Sequence, residues 1–187
     1  MLARITVAKA AGVVAVALLS LAAPSAAFAN STTGTATLTP GSLSVLTPVA
    51  VSFSGTLSGT NQTVSANQSI NVIDGTGSAS GWNLSLTSTT FSSGSTHLGI
   101  SAASDQGASG GCDADVTCTL ANNAATSYPV AIPAGATAPT AVRILSAAIG
   151  SGSGAQTWTH FMALAVPGNA AAGTYSSTWT YSLVSGP

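Results

Sequence analysis

The sequence predicts an all-β fold, an antiparallel β-sandwich in a single domain, preceded by a cleaved helical signal peptide. After residue 29, short runs alternate apolar residues with Ser, Thr and Asn, and Gly, Pro and Asn separate the runs. This alternation is typical of strands that bury one face, and the helical period is missing from the same stretch. With 187 residues, 45% of them hydrophobic, the chain has the size and apolar content for one domain with its own core.

The first 29 residues have the features of a secretory signal peptide. Arg4 and Lys9 precede an apolar run over 10–23, which Pro24 ends, and the small-x-small triplet 27–29 follows. A transmembrane helix needs roughly 18 or more apolar residues, and this run is shorter. We therefore expect cleavage after Ala29 and export of residues 30–187 with no membrane anchor after cleavage.

The exported part contains several predicted strands in order. In 49–57, 82–86 and 175–183 the apolar residues share one parity and the hydroxyl residues the other. Each such strand would place one face on a core and the other in water. Weaker runs predict further strands at 34–39, 69–74, 97–101, 128–132, 141–147 and 160–166. The stretch 102–123, rich in Gly, Ser, Asp and Ala, is expected to be an irregular loop inserted in the same domain.

That loop contains both cysteines of the chain, Cys112 and Cys118. In an exported protein, two cysteines and no others predict one disulfide, here closing a short loop. A metal or redox pair is the alternative, and no histidine or further cysteine near them in sequence favours it.

Charge is scarce, at 4% of residues, and this excludes whole classes of function. Once the signal is removed, Arg143 is the one basic side chain against four Asp. A nucleic-acid partner is excluded because phosphate neutralisation needs clustered Lys and Arg.

Groups for acid-base chemistry are equally few. His97 and His160 are the only histidines, and no Gly-x-Ser-x-Gly sequence frames a nucleophile. We therefore expect no enzyme, no catalytic residues and no cofactor, and keep a hydrolase as a disfavoured alternative. Asp105, Asp113 and Asp115 are a weak candidate set for Ca²⁺, without EF-hand spacing; a solvated acidic loop is the simpler interpretation.

The aromatic residues offer the remaining candidates for binding. Trp82 and Trp179 alternate with apolar neighbours, which favours a core position over a ligand contact. Trp158, flanked by two threonines after a Gly/Ser-rich turn, is the better candidate for an exposed ring.

Two segments of the chain carry related motifs. In 74–86, Asp74 and a Gly-rich turn precede Trp82 and Leu84, and in the C-terminal run 166–187, Trp179 precedes Tyr181 and Leu183. Together they resemble the first Trp-x-Leu motif and the terminal motif of the WxL domain, a surface cell wall-binding family. Tyr181 stands where the family has its second tryptophan, and the arginine often found in the first turn is absent.

The resemblance implies a secreted Gram-positive surface protein that holds non-covalently to cell wall peptidoglycan, often beside partner surface proteins. Its candidate ligand-binding residues carry over to the motif positions, and Trp158 is added to them as a candidate from the preceding analysis: Asp74, Trp82, Leu84, Trp158, Trp179, Tyr181 and Leu183. The alternative is a self-assembling surface or fibre subunit without glycan binding, because the Ser/Thr strands lack the charged residues that discourage edge pairing.

Overall fold

Eleven strands make up the described part of the chain, and they pair into two main sheets and one small hairpin. The computed structural model describes residues 30–99 and 102–186, so the predicted signal peptide lies outside the described residues. The strands are β1 (Leu43–Leu46), β2 (Gln62–Asp74), β3 (Trp82–Thr89), β4 (Ser92–Ser93), β5 (Thr96–His97), β6 (Ala103–Cys112), β7 (Val130–Ala131), β8 (Ala134–Gly135), β9 (Val142–Ala147), β10 (Gly154–Val166) and β11 (Trp179–Ser185). No helix among the described residues is long and apolar enough to cross a membrane. The prediction of an all-β fold is confirmed.

The larger sheet has the order β1-β2-β10-β6-β7 and is antiparallel throughout. Its two long strands, β2 and β10, have 13 residues each and pair along their whole length, from Gly154 opposite Asp74 to Val166 opposite Gln62. Alternation in both strands sends apolar side chains such as Ile70 and Met162 into the core. The outward positions carry mostly Ser, Thr, Asn and Ala, with Phe161 and Ile73 as the large apolar exceptions.

The second sheet is built around β3, which pairs antiparallel with β11 on one side and β9 on the other. A short parallel pairing joins β8 to the end of β3. Trp82, Leu84 and Leu86 alternate along β3, and all three are fully buried. Side chains from both sheets meet in one apolar core, as in a β-sandwich.

Three sequence expectations differ from the structure at strand level. The segment 49–57 belongs to no sheet: β1 ends at Leu46, and Pro48, which has no N–H to donate, follows it. Residues 34–39 are exposed and form no strand. In 97–101, the described residues contribute only His97 to a strand, as the end of β5.

The prediction of an irregular loop over 102–123 is wrong for its first half, where β6 forms a ten-residue strand of the larger sheet. Strand β6 is poor in apolar residues because a side chain of the neighbouring strand β10 fills the space on its inner side. A Cβ added at Gly110 would collide with the ring of Trp158 on β10, directly opposite. Glycine at position 110 leaves room for the large Trp158 ring in the core, although a glycine-rich sequence is typical of a loop.

Candidate functional site

The first Trp-x-Leu motif lies in the core. Trp82 is 0% exposed, and its Nε1 donates to the carbonyl oxygen of Gly152 at 2.9 Å. Gly152 has φ +81°, and a Cβ there would collide with the indole. The prediction that Trp82 is a core residue is confirmed, and Leu84 is equally buried. This motif joins β3 to the β9–β10 turn and presents no ring to a ligand.

Asp74 organises the Gly-rich turn that precedes this motif. It is buried, and its Oδ1 accepts from the backbone N–H of Thr76 at 3.0 Å and from the Thr76 hydroxyl at 2.7 Å. An aspartate that bonds the backbone two residues later forms an Asx turn. The role of Asp74 in this turn therefore explains its presence on structural grounds.

Trp158 is 5% exposed, so the prediction that it is an exposed aromatic is wrong. Its Nε1 donates to Gln156 Oε1 at 3.0 Å, and the same oxygen accepts from the Ala121 backbone N–H at 3.0 Å. The flanking threonines face outward, while the tryptophan occupies the space that Gly110 leaves on the inner side.

The terminal motif is more accessible than the first. Trp179, Tyr181 and Leu183 alternate along β11 and are half-buried. The Trp179 ring packs against Phe53 and Phe91, with centroids 6.3 Å and 6.4 Å away, and the two phenylalanines lie edge-to-face at 6.0 Å. These three rings form an aromatic cluster at one end of the sandwich.

Tyr181 reaches across to the other sheet, where its hydroxyl hydrogen-bonds the Gln68 side chain. Burial raises the pKa of Tyr181 well above its usual range, the hydrogen bond from Gln68 lowers it, and the charge of Asp105 raises it further. A tyrosine in this position thus ties β11 to β2 through a polar contact that a tryptophan ring would make differently.

Next to the aromatic cluster, a groove of roughly 730 Å³ opens between segment 51–57, the loop 170–175 and one end of the larger sheet. Phe53 and Phe91 line it, together with Tyr175 and the inward side chains at the ends of β2 and β10. One wall is the segment 51–57, and the other is the loop 170–175. The groove lies at the end of the sandwich where β2 begins and β10 ends.

The groove is uncharged and still offers hydrogen bonds. None of its lining residues is Asp, Glu, Lys, Arg or His. In the described chain, segment 51–57 makes no backbone–backbone hydrogen bond, and only the Thr56 carbonyl accepts a side chain, Gln62 Nε2 at 3.1 Å. Among residues 30–99 and 102–186, its other N–H and C=O groups have no protein partner, so they can bond a ligand beside the apolar floor.

The scarce ionisable groups do not converge on this groove. Asp105 and His160 are both fully buried, with Asp105 Oδ2 2.6 Å from His160 Nδ1. Asp113 instead lies on the outer face of the larger sheet, where Asn71 and Thr157 donate to its two oxygens at 2.6 Å and 2.7 Å.

The weak calcium set is therefore not assembled. Asp105 faces the core, whereas Asp113 and Asp115 lie in the short loop between Cys112 and Cys118. The predicted disulfide between these two cysteines is present and closes that loop. Within the described residues no group of three or more His, Cys, Asp or Glu side chains could hold a metal ion.

The groove was not predicted from the sequence, although the pattern of apolar residues indicated part of its lining. Phe53 had the inward parity of a predicted strand, and Tyr175 shared a face with Trp179, so their burial side was predictable. That the 51–57 wall leaves both sheets and opens a groove depends on Pro48 and on packing between distant segments.

The profile of the WxL domain family, described as surface cell wall-binding, matches residues 19–187. Searches of curated proteins and of solved structures returned no match.

Proposed function

Because the chain belongs to the WxL family of surface cell wall-binding domains, we propose that it is secreted and binds Gram-positive peptidoglycan non-covalently. The groove beside segment 51–57 is the contact site. The observation that carries the proposal is this uncharged groove, which combines aromatic walls with uncommitted backbone groups.

The groove suits an uncharged stretch of wall polymer. Sugar rings and N-acetyl groups present apolar patches to rings such as Phe53 and Tyr175, while their amides and hydroxyls bond with backbone groups of 51–57. The terminal motif contributes indirectly, since Trp179 packs against Phe53 and Phe91, the two phenylalanines that line the groove. Trp82, Leu84 and Trp158 contribute to the same site only by holding the sandwich.

The proposed role is binding without catalysis. The family is a wall-binding family, and the buried His160–Asp105 pair lies away from solvent. The other histidine, His97, is exposed in the short β5 strand. A hydrolase needs a base within reach of a nucleophile and substrate, and this arrangement favours a non-catalytic role.

A sedimentation assay with purified peptidoglycan tests the groove. We expect the substitution of Ala for Tyr175 to weaken binding about tenfold, because burial of an aromatic ring contributes about 1.5–3 kcal/mol. Ile149→Ala is the matched control, since Ile149 is exposed in the turn before β10, at the opposite end of the sandwich. Equal binding by wild type and the Tyr175 variant would contradict the groove as the site.

A second candidate function is self-assembly into a surface layer or fibre. The seven-residue strand β11 pairs only with β3 among the described strands, and its sequence carries no charge or proline. Such an edge can pair with another chain. Concentration-dependent oligomers in light scattering, with no sedimentation on peptidoglycan, would favour this function over wall binding.

A further inference from the structure

The outer face of the larger sheet forms a second polar surface, which differs from the groove in its side chains. At three successive outward pairs of β2 and β10, between the pairs Ile73–Ala155 and Ser65–Ala163, the side chains are polar and uncharged, apart from one ring. They are Asn67, Ser69, Asn71, Thr157, Thr159 and Phe161. We call these six residues the platform.

Phe161 is the one aromatic residue of the platform. It is 42% exposed on β10, the central strand of the sheet, and pairs with Asn67. A Cβ placed on Gly107 of β6 would lie 3.7 Å from its ring, so the ring lies beside backbone that carries no side chain. Single exposed apolar side chains are common, and the significance of this one comes from the backbone that holds it.

A β-bulge lies directly at Phe161. In the β10–β6 pairing, His160 pairs with Ala108 and Met162 with Asp105, so two residues of β6 face Phe161. Bulges are over-represented beside functional sites, where they redirect a side chain.

The bulge is fixed from inside the core. Asp105 Oδ1 accepts the Gly107 backbone N–H at 3.1 Å, and Oδ2 lies 2.6 Å from His160 Nδ1. Polar groups are costly in an apolar core unless they are well bonded. This buried pair therefore has an identifiable structural effect: it holds the backbone that presents Phe161.

A carboxylate is fixed at the other end of the platform. Asn71 and Thr157 donate to Asp113 at 2.6 Å and 2.7 Å, and Asp113 directly follows the disulfide-bonded Cys112. Thr157 is four residues from Phe161, about 13 Å along an extended strand. The two bonded oxygens keep lone pairs that can accept from hydroxyl groups.

We propose that the platform binds a neutral saccharide chain, with Phe161 stacking on one ring and Asp113 accepting hydroxyl hydrogen bonds farther along. An anionic polymer would meet Asp113 without a cation, since Arg143, the one basic residue after residue 29, lies on β9 of the other sheet. A protein interface would present a contiguous apolar centre, whereas the exposed apolar side chains of this face, Phe161 and Leu46, lie at opposite ends of the platform, beside Asn67 and Asn71. This site is separate from the groove and goes beyond the proposed function, although two contacts on one polymer would reinforce each other.

A soluble, uncharged tetramer of N-acetylglucosamine is the probe, titrated into residues 30–187 and followed by backbone amide NMR. We expect shifts at the platform and at Gly107, and an affinity about tenfold lower in Phe161→Ala. Phe161→Trp keeps the stacking surface and the affinity. Val184→Ala removes an exposed apolar side chain from β11 and leaves the affinity unchanged.

Asp105→Asn tests the positioning role of the buried pair. It keeps the shape of the side chain and leaves the platform side chains intact, yet it should lower the probe affinity and weaken the Phe161–Gly107 nuclear Overhauser effect. An unchanged Overhauser effect with reduced affinity would contradict the role assigned to the bulge.

Other outcomes overturn the platform itself. Wild-type affinity in Phe161→Ala, an absence of probe binding, or shifts confined to the groove would each do so, and the last would leave the proposed function standing. Oligomers that Phe161→Ala dissociates, without any response to the probe, would identify the face as a contact between copies of the chain.

Discussion

Trp82→Phe separates a structural Trp-x-Leu motif from a ligand-binding one. The substitution removes the indole N–H, and the buried Gly152 carbonyl then loses a hydrogen bond of 2.9 Å, which costs about 1–3 kcal/mol. The smaller ring also leaves a void in a site that is 0% exposed, and full truncation of a buried aromatic costs about 3–5 kcal/mol. We therefore expect the free energy of unfolding to fall by about 2–4 kcal/mol.

Urea denaturation with an unchanged m value measures this loss, and thermal unfolding should show a Tm lower by about 5–10 °C. Peptidoglycan binding, measured well below that temperature, should equal wild type because Trp82 touches no ligand. Trp179→Phe is the comparison, since this half-buried ring supports Phe53 and Phe91 and should affect binding more than stability. A Trp82→Phe protein of full stability with impaired binding would refute the structural role.

Two further predictions follow from the packing. Burial raises the pKa of Tyr128 to about 12 and that of Tyr181 still higher, against 10.0 in an unfolded chain, so above pH 10 the unfolded state loses protons that the folded state keeps. The contribution of these two tyrosines to stability should therefore be constant below pH 10 and fall above it. Above pH 10, the urea midpoint should fall less steeply with pH in Tyr128→Phe and Tyr181→Phe than in wild type. Equal slopes in wild type and variants would contradict the burial of these hydroxyls. Gly110→Val, which forces a side chain against the indole opposite, should destabilise by about 1–3 kcal/mol in the same assay, whereas Gly111→Val, with open space at its Cβ, should not.

The strands that the sequence predicted well are those whose inward side chains are large and apolar. Alternation around Trp82, and again in β11, predicted both the strand and its buried face, because large apolar side chains occupy every inward position there. The same rule failed for β6, where Gly110 makes room for Trp158 and a buried Asp105 replaces an apolar residue. The identity of that strand depends on its neighbours.

Candidate binding residues were harder to predict than the fold. Composition identified aromatic rings and hydroxyl groups as the available chemistry, but the depth of a ring depends on what lies opposite. Trp158, predicted to be exposed, is covered, while Phe161, three residues later on the same strand, faces solvent. The extra residue of a bulge and the departure of 51–57 from the sheet are not visible in periodicity.

Binding of residues 30–187 to purified peptidoglycan, measured in a salt series, tests the central claim that this nearly uncharged domain recognises the wall without electrostatics. From about 0.1 M to about 1 M sodium chloride the Debye length falls from about 10 Å to about 3 Å, which screens contacts between exposed charges. The groove and the platform are uncharged, and Asp113 is the one charged group bonded to the platform, so the dissociation constant should stay within about twofold. A tenfold or greater loss of affinity would contradict the account.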